Sequence, residues 1–580
     1  MHSFTEDFEV FDIETIVHDG VMKPVAISYS EKHVINFRYL NKGDCLLSVV
    51  DEVFKNGIVY YAHNLLFDFS FLMADVINRS TEFNWVFYNK RLYKVVFRYN
   101  NKLIEMRCSL NILPFSLDKL YPDFSTNKKM YFPYEVLKNW DPNRSCSEFE
   151  LIGEGYRKNT MGEYLKIYSC LDSQILKESL INLFKMLSQN DIIVTKKKSL
   201  TLGSIALYNY IQKYNRINLK LSSKHKTIIR NAYFGGRCEV FGNVRQGEKI
   251  LYFDFAGLYQ QCMMEPLPND TYTLEMSNLS IDKPGFYLIE LESQSWLPVL
   301  PSRAFKLFFK CGKIAGWFWH EEIQTALEHT KCSNFTVKAG LVATKCEPVL
   351  AEFVTRLGVV KNKPGLKSKV GKHLINSLYG RFAIKDEVEL AKVISSLEDT
   401  QQFITVNPNY QIQNTTTKRK KKSNIGIAAA IAAKGRKKLY EGFLEVLGVG
   451  GRLLYCDTDS IYAAFPKDCN IEDKLLGKHV TFPSKDRKIV DAVFIAPKMY
   501  ALLYEDGVET VKLKGLGREK SFKDIKELFY SEDQEGVLEY TTMGQNQHNE
   551  YVYETKQIRL TEYDKRSWSN DKKTTEPKIN

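Results

Sequence analysis

Leu453-Leu454-Tyr455-Cys456-Asp457-Thr458-Asp459-Ser460-Ile461-Tyr462-Ala463-Ala464-Phe465 reads as a β-hairpin with two aspartates at its tip. Aspartate is a common turn residue, so the pair alone could be turn chemistry. Two acids on so tight a turn gain little stability from the apolar arms beside them. A site becomes the better reading only if partners stand elsewhere in the chain.

The first partner lies upstream. Ile250-Leu251-Tyr252-Phe253-Asp254-Phe255-Ala256-Gly257-Leu258-Tyr259 is an apolar strand that delivers Asp254 at its end, before a turn whose backbone can face phosphate. The second is cationic. Lys372-His373-Leu374-Ile375-Asn376-Ser377-Leu378-Tyr379-Gly380 has helical spacing, with Lys372, Asn376 and Tyr379 on one stripe and Gly380 as the expected stop. A plain amphipathic helix would not line up a cation, an amide and a phenol. Lys361 and Lys363 stand just upstream, as further candidates for phosphate.

A separate acidic constellation occupies the N-terminal third. Val10 to Thr15 reads as a strand, and a period of two puts Asp12 and Glu14 on the same face. Paired carboxylates at one place call for a cation, unless the strand merely faces solvent. Tyr61-Ala62-His63-Asn64-Leu65-Leu66-Phe67-Asp68 then gives a strand end, a polar turn and a third acid ahead of a helical apolar run. Tyr164 to Leu187 is helical, with Tyr168 and Asp172 four residues apart on one face.

In the order DxE, Asn-x3-Asp and Tyr-x3-Asp, this set resembles the three Exo motifs of DEDDy proofreading exonucleases. The three later motifs resemble A (with Gly257 and Gln260 replacing the usual Ser and Pro), B (Kx3NSxYG) and C (YxDTDS) of family B DNA polymerases. Tyr233-Phe234-Gly235-Gly236 is similar to the YxGG element, Lys498-Met499-Tyr500 to KxY, and Cys108 to Phe115 to a Ser-Leu motif carrying Ser109 and Leu110. The whole is closest to the protein-primed subgroup of phi29-like and linear organellar plasmid polymerases. The fold so implied is α/β and multidomain: a ribonuclease-H-like exonuclease followed by a right-hand polymerase with TPR1 and TPR2 insertions. The expected divisions are 1–190 exonuclease, 191–264 linker and start of palm, 265–360 TPR1-like and palm, 361–383 motif B of the fingers, 384–424 TPR2-like, 425–500 fingers and palm, and 501–580 thumb and tail.

The resemblance implies roles residue by residue. Asp12, Glu14, Asp68 and Asp172 would hold two metals with Tyr168 orienting water, and a lysine, Lys129 rather than Lys128, would assist. His63, Asn64, Phe67, Ser109 and Leu110 would grip single-stranded DNA. Asp254, with Phe255 beside it, Asp459 and less directly Asp457 would hold two Mg²⁺ ions, Mn²⁺ being an alternative. Lys361, Lys372, Asn376 and Tyr379 would meet the incoming dNTP, and Tyr259 would floor the sugar pocket. Tyr233, Gly235, Gly236, Lys498 and Tyr500 would contact primer-template DNA. A terminal protein is the implied primer, TPR1 its docking insertion, and a monomer the expected state.

Composition agrees without deciding. With 81 Lys and Arg against 69 Asp and Glu, the 580-residue chain carries +12, which suits a polyanionic partner. The run Lys418-Arg419-Lys420-Lys421-Lys422 and a basic segment from Lys512-Leu513-Lys514-Gly515 are candidates for gripping DNA. Eleven cysteines occur without any CxxC pair, which supports neither a disulfide framework nor a zinc site. No apolar stretch is long enough to span a membrane, and the acidic start resembles neither a signal nor an Arg-rich transit peptide. A mitochondrion is expected for an organellar plasmid gene, and host cytoplasm for a phage or virus. So little chain precedes Asp12 that a priming domain fused upstream is not expected. Two rivals remain: a family B enzyme that extends only nucleic-acid primers, and an exonuclease or nucleic-acid-binding protein with a non-functional polymerase half. The intact Asp254, Lys372, Asp457 and Asp459 argue against the latter.

Overall fold

Alternation along the first strand organises the N-terminal third of the computed structural model. The structure describes residues 7–579 except 19–20, 33, 42–43, 89–90, 134–139, 150–151, 153–155, 305, 385–386, 395–402, 408–409, 419–422, 470–487, 514–519, 532–536, 546–550 and 560–564. Along β1 (Glu9–His18), Phe11 and Ile13 pack to one side, while Phe8 and Val10 pack to the other. Asp12 and Glu14 continue the second side, beyond the apolar pair.

β1 is central in a seven-stranded sheet with β2 (Val21–Glu31), β3 (Val34–Tyr39), β4 (Val59–Ala62), β5 (Glu82–Tyr88), β6 (Arg91–Tyr99) and β7 (Lys102–Cys108), in the order β3-β2-β1-β4-β7-β6-β5. β4 runs parallel to both neighbours, and the outer pairings are antiparallel. Helix α1 (Leu65–Arg79) covers the Phe11 side. Helix α2 (Met161–Gln189), begun by a Thr160–Glu163 capping box, covers the other. α1 starts earlier than the apolar run suggests, so Asp68 falls in its first turn.

A second seven-stranded, antiparallel sheet carries the later motifs. Its strands are β8 (Cys238–Val240), β9 (Glu248–Asp254), β10 (Arg452–Asp457), β11 (Ser460–Pro466), β12 (Ile489–Ala496), β13 (Met499–Tyr504) and β14 (Glu509–Lys512). The order β14-β13-β12-β9-β11-β10-β8 places the Asp254 strand directly beside the hairpin strand β11. Helices α3 (Gly365–Phe382) and α4 (Ile425–Gly448) pack nearby. α3 runs through Gly380 instead of stopping there. Phe382 is fully buried, so packing carries the helix past the glycine.

Between β9 and α3, strands Tyr272–Glu275, Gly285–Ser293, Gly312–Trp319 and Cys332–Ala343 form a four-stranded sheet with helix His320–His329, within the span expected for the first insertion. The second expected insertion holds a three-stranded backbone sheet of Glu387–Ile394, Tyr410–Lys418 and Phe403–Asn407. Arg419 to Lys422 of the basic run, and Lys514 and Gly515 of the C-terminal one, lie outside the described residues.

One hydrophobic core ignores the expected divisions. It joins Phe8, Val10, Leu113, Leu120, Phe124 and Leu183 of the N-terminal third to Leu366, Val370, Leu374 of α3 and Ile427 to Ala430 of α4. All are buried.

Candidate active sites

At the first site, ligand atoms of Asp12, Glu14 and Asp172 lie within 4.8 Å of one another. Asp68 sits beside them, 1 % exposed, and accepts the Ile13 N–H at 3.1 Å. Burial pushes all four carboxyls above the ordinary range, Asp12 to about 6. Glu14 Oε1 and Asp172 Oδ1 are buried without a hydrogen-bond partner. Acids this dry and crowded fit a divalent cation. Of the two lysines that the motif leaves open, Lys129 reaches the site: its ammonium pairs with Asp172 and lies 4.7 Å from the Tyr168 ring centre.

A cavity of about 1160 Å³ opens from these acids and is lined by His63, Asn64, Phe67, Leu110 and Phe115. Asn64 holds a left-handed conformation (φ 75°) at the start of α1, which turns the chain from β4 into the helix. His63 Nδ1 is 2.9 Å from Ser109 Oγ, and burial pushes the imidazole down to about 4, so it is neutral at physiological pH. Ser109 itself is buried and donates to the Ala62 carbonyl, bracing the turn instead of facing the cavity.

At the second site, Asp254 stands opposite Ser460 in the register, and the Phe255 N–H donates to the Asp459 carbonyl at 2.8 Å. These pairings bring Asp254 and Asp459 to one place. Burial, then the Asp459 charge, pushes Asp254 up to about 6, while Lys372 opposes the rise. Asp459 is also raised by burial and lowered by Lys372, so the α3 lysine faces both acids. Asp457 differs from them. Both its oxygens accept from Lys498 Nζ, at 2.8 and 3.0 Å, so it already has a counter-ion.

The pocket around the acids is aromatic. The Tyr259 and Tyr379 ring centres are 4.7 Å apart, with Gly435 of α4 against the Tyr259 ring. Gly257 takes φ 73° at the start of the next helix, a conformation that Ser would adopt only under strain. Gln260, the other departure in motif A, accepts from Lys361 Nζ at 2.6 Å and so draws that lysine onto the turn. Tyr500 is 6 % exposed among Tyr455, Tyr462 and Phe494, so its ring belongs to the core beneath the hairpin. Among the described residues, Asn376 is half-buried on the same helix face as Tyr379, and Tyr233 and Gly235 precede Gly236 at the pocket wall.

A profile of the family described as DNA polymerase type B, organellar and viral, matches residues 51–434. The chain belongs to this family. It is 27 % identical over 457 residues to a probable DNA polymerase of Podospora anserina, covering 68 % of this chain and 38 % of that one. It is 22 % identical over 534 residues to the DNA-directed DNA polymerase of Enterobacteria phage PRD1, covering 87 % of this chain and 84 % of the phage enzyme. The chain spans about half the length of the first fungal relatives it matches. Its fold is that of phi29 DNA polymerase in complex with primer-template DNA and incoming nucleotide: TM-score 0.72, 18 % identity, 97 % of this chain and 100 % of the other. The multidomain α/β fold is therefore shared with that polymerase along nearly the whole chain, and the type B family is established.

Sequence reasoning missed several supports of these sites. Arg436, in an Ala-rich helix, makes a buried two-pronged pair with Glu322 (2.7 and 2.8 Å) and donates to the Phe234 and Gly235 carbonyls. The available signal was weak, because Arg436 follows the alanine run inside the basic stretch Lys434-Gly435-Arg436-Lys437-Lys438 and reads there as one more solvated charge. Arg237 and Glu239 pair two apart on one strand face, wholly buried. Their alternation is visible in the sequence, their burial is not.

Proposed function

We propose that this chain is a template-directed DNA polymerase with 3′→5′ proofreading, started by a protein primer on a linear DNA genome or plasmid. The observation that carries the reading is the presence in one chain of Asp254 and Asp459 side by side in the field of Lys372, and of a separate buried group at Asp12, Glu14 and Asp172.

Asp254, the Phe255 main chain and Asp459 would hold divalent cations at one site, and Asp12, Glu14, Asp68 and Asp172 at the other. Mg²⁺ fits these all-oxygen sets, with Mn²⁺ as an alternative. When bound, such ions activate the attacking oxygen and neutralise charge on the leaving one. Lys372, aided by Lys361, places positive charge on the phosphates of a dNTP. Tyr259 floors the sugar, Asn376 and Tyr379 border the new base pair, and Lys498 follows the primer end. An unpaired 3′ end enters the cavity between Phe67, Asn64 and Leu110, where aromatic stacking holds exposed bases. Tyr168 and Lys129 orient water at the Asp172 side. The partners are primer-template DNA, dNTPs and a terminal protein that docks on the 265–360 insertion, while 384–424 borders the DNA and 501–580 grips it. The polymerase works as a monomer, in the mitochondrion if its gene lies on an organellar plasmid and otherwise in host cytoplasm. Among the described residues no helix is long and apolar enough to cross a membrane.

Primer extension and single-strand digestion test this directly. Asp459→Ala should lose extension by about a hundredfold or more and keep digestion, and Asp12→Ala/Glu14→Ala should do the reverse. Equal incorporation by wild type and Asp459→Ala would overturn the polymerase reading. Protein priming is tested by covalent transfer of a labelled dNMP to a co-expressed protein. Extension of oligonucleotide primers alone, with no protein labelled, would leave a nucleic-acid-primed enzyme.

A further inference from the structure

The motif B helix is not capped by the residues that lead into it. Pro364 precedes α3 and supplies no side-chain acceptor, and the first turn holds no acid. Instead Asp123, from the N-terminal third, accepts the Leu366 N–H at 2.8 Å. Gly365, at φ 63°, lies so close that any Cβ there would overlap the Asp123 carboxylate. A carboxylate at a helix start both satisfies an orphan donor and complements the helix dipole.

The residues that follow Asp123 lead straight to the editing acids. Ser125 Oγ and Asn127 Nδ2 donate to Glu178 of α2 at 2.8 and 2.9 Å, less than two turns beyond Asp172. Lys129 then pairs with Asp172 itself. At the other end, Phe115 lines the editing cavity and lies 6.2 Å, ring to ring, from His373, the neighbour of Lys372. Leu113, Leu120 and Phe124 pack in the same core as Leu366, Val370 and Leu374. Segment 113–129 thus touches the cavity, the acids and the motif B helix at once.

We propose that this segment is a strap that couples the editing site to the motif B helix, with Asp123 as its positioning residue. The proposal rests on the reading of two activities given above. When the strap holds α3, Lys372 stays in place for dNTP, and extension is favoured over degradation. When the cap is lost, the first turn of α3 frays and the balance moves toward degradation, although the editing acids are untouched.

Two measurements on the full chain test it. In hydrogen exchange, Asp123→Ala should speed the amides at the start of α3 about fivefold, the usual cost of a lost cap. Asp123→Asn keeps an acceptor and should stay within about twofold. In a primer-template assay, the dNTP concentration at which net degradation turns to net extension should rise about fivefold in Asp123→Ala. Digestion of single strands without dNTP should stay at the wild-type rate. Unchanged exchange in Asp123→Ala overturns the cap. Faster exchange with an unmoved balance, or equal loss of extension and digestion, overturns the coupling. If the wild type neither extends nor digests, the functional reading fails, and exchange still decides the cap.

Discussion

Thr458 holds φ 69°, where a β-branched residue is rare, and the Asp459 N–H turns back to the Asp457 carbonyl at 2.7 Å. What keeps it there is the Arg237 carbonyl, which accepts the Thr458 N–H at 2.7 Å from a strand fixed by its buried ion pair with Glu239. Gly236 makes room: a Cβ at that position would stand 2.7 Å from Thr458 Cγ2 and 3.0 Å from Tyr259 Oη. Gly236→Ala should therefore shift the acid turn and the Tyr259 ring together, lowering kcat for extension by about tenfold to a hundredfold with digestion retained, as steady-state assays would show. The YxGG and DTD motifs were both legible, but their contact was not, because neither spacing nor periodicity encodes a meeting of residues so far apart in the chain. Lys498 pairing with Asp457 was hidden for the same reason. The acids also fix a pH dependence. Asp12 and Asp254, raised from 3.8 to about 6, bind protons more tightly folded than unfolded, so the stability they add is full below pH 4 and is lost as pH rises to about 6. Above that, cations held by these acids, as proposed, would offset the buried charge. Mg²⁺ should raise Tm more at pH 7.5 than at pH 5, and an equal rise at both would count against cation binding by these groups.

At the scale of elements, α3 and the preceding helix Ala351–Lys361 cross at Gly371, where a Cβ would overlap the Lys361 backbone. Gly371→Ala should cost about 1–3 kcal/mol, measured as a lower denaturation midpoint, and should weaken dNTP binding because Lys361 and Lys372 both move. The helix and its polar stripe were readable from spacing, since Lys372, Asn376 and Tyr379 recur with the helical period. Its end was not, because burial of Phe382 outweighs the local preference of Gly380. Strand β1 and the hairpin were read within a few residues, where alternation of apolar and acidic positions is strongest. The first insertion was expected from the family resemblance and the length of the interval, and its strand order came only with the structure.

Across the whole molecule, the N-terminal third and helices α3 and α4 contribute apolar side chains to a single core. A chain beginning at residue 191 would strip Leu113, Leu120, Phe124 and Leu183 from the core that also holds Leu366, Val370, Leu374 and Ile427, and it should aggregate on expression. Recovery of a soluble, cooperatively melting 191–580 fragment would refute this. Asp12→Ala/Glu14→Ala in the full chain should instead melt within a few degrees of wild type. The consequence reaches any lineage or laboratory that wants a faster, less faithful copier. On the function proposed above, fidelity would be switched off by replacing the carboxylates Asp12 and Glu14 but not by trimming, because the part that edits would double as the wall on which the part that copies is built.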